Sequence, residues 1–213
     1  MPEEKPLAAN VFVAAGEDGW RAFSTDGQTW THRQTGKEGE TFLAAAFGAG
    51  RCVVFGRHGG DNHFAETADG LTWQPTKRDA QYAFFVRGGT YFGKRFLGLG
   101  GDSGGNGKLF VIASSDGAAW DKAIDLPGKH LLRRFAQGNN LLVGVGDYGR
   151  RAVSSDGLVW KDVPHYKPVD SLIDVAFGNG VFVGGGLHGL RMRSVDGLEW
   201  TDRQVGEEGE HIN

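Results

Sequence analysis

The sequence predicts an all-β fold made of five repeats of short antiparallel strands. Three observations carry that expectation. The first is a motif, Ser/Thr-x-Asp-Gly-x-x-Trp, that occurs five times in 213 residues. Its copies run Ser24 to Trp30, Thr67 to Trp73, Ser114 to Trp120, Ser154 to Trp160 and Ser194 to Trp200. The tryptophans are spaced 43, 47, 40 and 40 residues apart, and five of the six in the chain occupy this slot. The second is glycine: 36 residues, against a typical share of ~7%, with no triplet period. The third is that no segment sustains a 3.6-residue apolar period, so little or no helix is expected.

The elements follow in order. In the first repeat, Asn10-Val11-Phe12-Val13 matches a second strand, and no inner strand precedes it. Trp20 stands before the third strand, where it either packs or offers a stacking platform for a sugar. The second repeat runs from Leu43 to Trp73 through a Gly48-Ala49-Gly50 turn. Within it, Cys52 on Arg51–Phe55 reads as a small buried hydrophobe. The fourth runs from Leu131 to Trp160. The fifth is the clearest: Leu172–Phe177 is a strand, and Gly178-Asn179-Gly180 is a hairpin turn needing positive φ. Val181–Val183 is a second strand, Gly184–Gly189 a loop, Leu190–Ser194 a third strand, and Trp200 opens a fourth. Small residues such as Ala44, Ala45, Ala46 and Gly184–Gly186 let inner strands crowd together.

Four antiparallel strands per repeat of about 40–47 residues is the pattern of a β-propeller with five blades. One blade alone buries too little apolar surface, and stacked blades bury both faces. The five hairpins resemble the Asp-box, or BNR repeat, of sialidases, sortilin-type receptors and related bacterial propellers. They match at Ser/Thr, Asp and Trp and depart in having Gly directly after Asp, one residue shorter. The resemblance implies a structural role for Asp26, Asp69, Asp116, Asp156 and Asp196 as turn acceptors. It implies wedging between blades for Trp30, Trp73, Trp120, Trp160 and Trp200. It also suggests export, although Met1–Pro6 carries no signal peptide.

The ends are out of phase with the blades. Trp30–Phe42 aligns with Trp200–Ile212, and the first copy is followed by an inner strand. Residues 1–213 are expected to form one propeller domain, closed by an inner strand beginning at His211, or else to form part of a larger propeller. In the second account the end blades would self-associate.

Composition excludes several classes. With Lys+Arg 23 and Asp+Glu 26, net charge −3, general nucleic-acid binding is not expected. No apolar run reaches the length of a membrane span. A single cysteine rules out an internal disulfide framework and a cysteine-based zinc site. No cofactor and no metal site are expected.

Candidate chemistry is sparse. Gly101–Gly105 spells GDSGG, the nucleophile motif of chymotrypsin-like proteases, but their His and Asp segments are missing. Gly107-Lys108 lacks the remainder of a phosphate loop. Arg87, Arg133 and Arg134 lack the segment that accompanies a sialidase arginine triad. Asp102, Asp147 and Asp174 are the carboxylates considered for glycoside hydrolysis. The strongest pattern is the glycine loop between second and third strands: Gly16–Gly19, Gly56–Gly59, Gly146–Gly149 and Gly186–Gly189. Its variable slot holds Asp18, His58, Tyr148 and His188, joined by Asp147 and, in the longer third loop, Asp102. These are the candidate binding residues. The expected function is a non-catalytic module that takes a glycan, small ligand or protein on this face. A diverged glycoside hydrolase or lyase and a self-assembling scaffold are the alternatives.

Overall fold

In a computed structural model, residues 11–76, 86–101, 109–164, 167–207 and 209–212 are described. They form nineteen strands in five antiparallel sheets. Blade 1 is β1 (Phe12–Ala15), β2 (Arg21–Ser24) and β3 (Thr31–Gln34), three strands among the described residues. Blade 2 is β4 (Glu40–Gly48), β5 (Arg51–His58), β6 (Asp61–Thr67) and β7 (Gln74–Pro75). Blade 3 is β8 (Val86–Phe92), β9 (Arg95–Gly101), β10 (Leu109–Ser114) and β11 (Ile124–Leu126). Blade 4 is β12 (Leu132–Gly138), β13 (Leu141–Gly146), β14 (Arg151–Ser154) and β15 (Lys161–Asp162). Blade 5 is β16 (Leu172–Gly178), β17 (Val181–Gly186), β18 (Arg191–Ser194) and β19 (Thr201–Gln204). As the missing helical period implies, no α-helix occurs among the described residues.

The chain divides into two compact units, Met1–Gly98 with Ile112–Ala123, and Leu99–Val111 with Ile124–Asn213. The first unit holds blades 1 and 2 and part of blade 3; the second holds blades 4 and 5 and the remainder of blade 3.

Turn chemistry sets the strands. First and second strands join through two consecutive left-handed residues: Ala49 and Gly50 (φ 47° and 76°), Asn139 and Asn140 (49° and 60°), Asn179 and Gly180 (50° and 79°). That geometry matches the right-handed twist of the flanking strands. The turn expected at Gly178–Gly180 is therefore made by its last two residues, and Gly178 ends β16.

In the first unit β4 lies beside β8, and in the second β12 lies beside β16. Glycine allows this approach: a Cβ on Gly48 would fall 2.1 Å from the Tyr91 ring, and one on Gly138 2.2 Å from Phe177. Neighbouring blades then bury apolar faces against each other. In the first unit Phe42, Cys52, Val54 and Ala65 meet Val13, Ala15 and Trp73. In the second, Val143, Val145 and Val153 of blade 4 meet Leu172, Phe182, Leu190 and Met192 of blade 5. Burying one such side chain contributes about 1.5–3 kcal/mol. Cys52 is fully buried, as expected, and burial pushes its thiol up to about 12.

Candidate functional site

Among the described residues, side chains cluster at two kinds of turn. The first is the hairpin after the third strand. Asp26 Oδ1 accepts the N–H groups of Gln28 (2.8 Å) and Thr29 (2.7 Å) and the hydroxyl of Ser24 (2.9 Å), while Gly27 N–H donates to Ser24 Oγ (2.9 Å). The same bonds recur around Asp69, Asp116, Asp156 and Asp196. The glycine after each aspartate sits at φ between 73° and 79°, where a side chain would be strained. That conformation is why the motif carries Gly at this position.

These bonds hold the carboxylates ionised. The N–H of Thr29, then that of Gln28, keeps the Asp26 carboxyl far below the usual carboxylate range. The N–H groups of Ala119, Val159 and Glu199 lead the same effect at Asp116, Asp156 and Asp196. At Asp69 burial opposes the shift, and the N–H groups of Thr72 and Leu71 outweigh it. A carboxylate engaged by two backbone donors and a hydroxyl is a turn component.

Trp73, Trp120 and Trp200, which follow three of these hairpins, sit at seams between blades. Arg21 of blade 1 stacks over Trp73 (5.3 Å) and Phe42 (5.4 Å) of blade 2. Trp120 of blade 3 meets Phe64 (5.2 Å) and Phe55 (5.5 Å) of blade 2 edge-on. Arg151 of blade 4 stacks over Trp200 of blade 5 (5.5 Å). Trp160 is buried and donates its indole N–H to Gly157 O (3.0 Å).

The second place is the turn between second and third strands. Three blades share one geometry. Trp20 N–H donates to Glu17 O (2.9 Å), Arg150 N–H to Asp147 O (3.0 Å) and Leu190 N–H to Leu187 O (3.1 Å). The reciprocal bonds, Gly16 to Trp20 O, Gly146 to Arg150 O and Gly186 to Leu190 O, are each 2.9 Å. Between them stand Asp18 (φ 50°), Tyr148 (53°) and His188 (56°), each followed by a left-handed glycine. Backbone groups alone build this turn, so its leading side chain projects outward; all three are exposed, Tyr148 by 55%.

His58 departs from the pattern. Blade 2 continues its ladder to the pair His58↔Asp61 and turns at Gly59-Gly60, so the same Gly-x-x-Gly spelling gives a longer hairpin. His58 is exposed at the end of β5, its ring 6.1 Å from that of His63, which lies 3.4 Å from Glu40. Asp102, with the whole Asp102–Lys108 stretch, lies outside the described residues.

The structure adds neighbours that the sequence did not reveal. The Tyr148 ring stacks on His130 at 4.4 Å, and the His188 ring meets His211 at 5.5 Å. His188 N–H donates to His211 Nδ1 (3.2 Å). Asp18 Oδ1 accepts Gly39 N–H (3.4 Å). These partners lie about twenty residues from the slot, and no local pattern marks them. Asp147 is turned to Arg133, whose Nε and Nη2 both donate to its carboxylate, the latter at 3.0 Å. Asp174 is exposed and accepts the N–H of Val175. Trp20 is half-buried.

Two arginines next to the Tyr148 turn are structural. Arg150, 1% exposed, donates to Asp162 (2.9 Å), His130 O (2.6 Å) and Pro127 O (2.7 Å). Arg151 donates to Asp170 O, and Asp170 in turn accepts Arg203 Nε (2.8 Å). Burial lowers the Arg151 pKa, and the Asp170 charge partly restores it. Arg150 is tolerated in the interior because its Nε, Nη1 and Nη2 each meet an acceptor; the Nε of Arg151 is buried without one. No group of three metal-ligating side chains occurs among the described residues. No helix among them is long and apolar enough to cross a membrane.

No family model and no curated protein matches the chain. Among solved structures, one described as "YCF48 bound to D1 peptide" is similar over 94% of this chain and 69% of that chain, at 14% identity and a TM-score of 0.61. The likeness shows the fold: this chain is a β-propeller with five blades.

Proposed function

We propose that the chain is a non-catalytic binding module that recognises a protein segment through the turns between second and third strands. One observation carries the reading. A single backbone turn, closed by the same two hydrogen bonds, presents Asp18 in the first unit and Tyr148 and His188 in the second. Asn or Gly satisfies a left-handed position most easily. A tyrosine held there and exposed is the choice of a surface that makes contacts, since tyrosine offers a rigid amphipathic ring. His130, His188 and His211 add donors and stacking faces in the same unit. The similar propeller bound to a peptide supports a protein segment as the ligand class.

The five hairpins are read here as a short form of the Asp-box, on their Ser/Thr, Asp and Trp positions and the bonds each aspartate makes. Residues 1–213 are read as one propeller domain. Glycoside hydrolysis requires two carboxylates that face a sugar. Asp147, one of the three considered, is engaged by Arg133.

The test is to probe a peptide array and a glycan array with the chain and with the Tyr148→Asn/His188→Asn variant. Peptides bound by the chain and lost by the variant are expected. Binding confined to glycans, or peptide binding that the variant retains in full, would overturn the assignment.

A further inference from the structure

Blades 4 and 5 build one backbone from different side chains. Both inner strands bulge near their start, β12 between Leu132 and Arg134 and β16 between Leu172 and Asp174. The turns that follow their second strands close alike. Asp147 N–H donates to Leu131 O and Leu187 N–H to Ser171 O, and Arg150 and Leu190 complete the two turns. Ile173, Leu187 and Leu190 of blade 5 therefore have Arg133, Asp147 and Arg150 as counterparts in blade 4. Partly buried charges carry a desolvation cost that an apolar set does not. Blade 5 makes the same turn without them.

In blade 4 the charges fasten two pieces of chain together. Arg150, fully buried, donates to Pro127 O and His130 O, and a Cβ on Gly128 would fall 2.6 Å from its Nη2. It thereby ties the loop before β12 to the turn that carries Tyr148. Arg133 grips Asp147 with Nε and Nη2 and stays 34% exposed. On this frame Lys129 is exposed, and the His130 ring lies on that of Tyr148. The counterparts of Lys129 and His130 in blade 5 are Val169 and Asp170. From Pro127 to Arg151 the sequence carries five Lys/Arg and one carboxylate, in a chain of net charge −3.

We propose that the protein segment recognised at blade 4 is acidic, its carboxylates meeting Lys129 and Arg133 while an apolar side chain lies on the Tyr148 ring. The inference rests on the reading of these turns as a peptide-binding surface and adds the chemistry of the partner. Arg133 serves both sides: Asp147 occupies two of its five donors, and a ligand carboxylate takes others. The positive surroundings speed encounter with an acidic segment and reject a basic one.

The experiment compares, by fluorescence anisotropy, three labelled peptide pools of one length. In them apolar and aromatic residues alternate with Asp/Glu, with Asn/Gln or with Lys/Arg. The acidic pool is expected to bind the chain about tenfold more tightly than the amide pool, and less tightly as salt rises; the basic pool should bind least. Lys129→Glu, at an exposed position, is expected to remove most of that preference. Arg133→Ile/Asp147→Leu installs the blade 5 pair and is expected to lower the preference severalfold, with a melt at the parent temperature or above as the check on folding. The Tyr148→Asn/His188→Asn variant is expected to lose both pools. Equal binding of the acidic and amide pools, or an acidic preference kept in full by either charge variant, would overturn the proposal; peptides still lost by Tyr148→Asn/His188→Asn would leave the peptide-binding reading standing. Binding of none of the pools, with or without capture of heparin, would overturn both.

Discussion

The hairpin after the third strand and the turn before it hold their geometry by opposite means. In the hairpin, side chains build the turn: Asp Oδ1 and Ser/Thr Oγ accept backbone N–H groups that would otherwise go unpaired. The sequence there repeats five times. In the earlier turn, backbone bonds suffice, and Asp18, Tyr148 and His188 occupy one conformation with three chemistries. Repetition marks where a side chain is needed to fold the backbone. Variation on a fixed backbone marks where the side chain is available for something else.

That contrast can be broken at the hairpin first. Gly197→Ala places a Cβ 2.5 Å from Val143 and 2.8 Å from Val153 at φ 74°. It is expected to cost about 2–4 kcal/mol, strain and overpacking together. A thermal or urea melt reads this. Asp156→Ala removes the acceptor for Leu158 and Val159 N–H. Its expected cost is about 1–3 kcal/mol, several degrees in Tm for a chain of this length.

Acid sharpens the comparison. The five hairpin carboxyls are held below their unfolded values, so the folded state binds fewer protons than the unfolded state in the acid range. Their contribution is full above the unfolded value of about pH 4 and is lost as pH falls below it toward the depressed folded values. Tm should therefore decline below about pH 4, and Asp156→Asn should make that decline shallower. The smallest effect is expected at the other turn. Tyr148→Asn and His188→Asn keep a residue suited to positive φ and should change stability by about 0.5 kcal/mol or less.

The hairpins were legible in the sequence because their information is local: donor, acceptor and left-handed glycine lie within four residues. The propeller followed from their spacing. The Asp18, Tyr148 and His188 slot was legible as a repeated glycine loop. His58 was placed in it because Gly56–Gly59 has the same spelling, and what differs is how far the β5–β6 ladder continues. The seam residues were missed, although a signal was present: Arg21 and Arg151 both stand three residues before the motif Ser. Asp170 was not foreseen because it joins Arg151 and Arg203 across tens of residues.

The most direct test binds one peptide array with three proteins at a temperature where all are folded: the parent, Asp156→Asn, and Tyr148→Asn/His188→Asn. If hairpins serve the fold and the earlier turns serve recognition, Asp156→Asn binds the parent's peptides and the double variant loses them. Binding lost with Asp156→Asn and kept by the double variant would contradict the account.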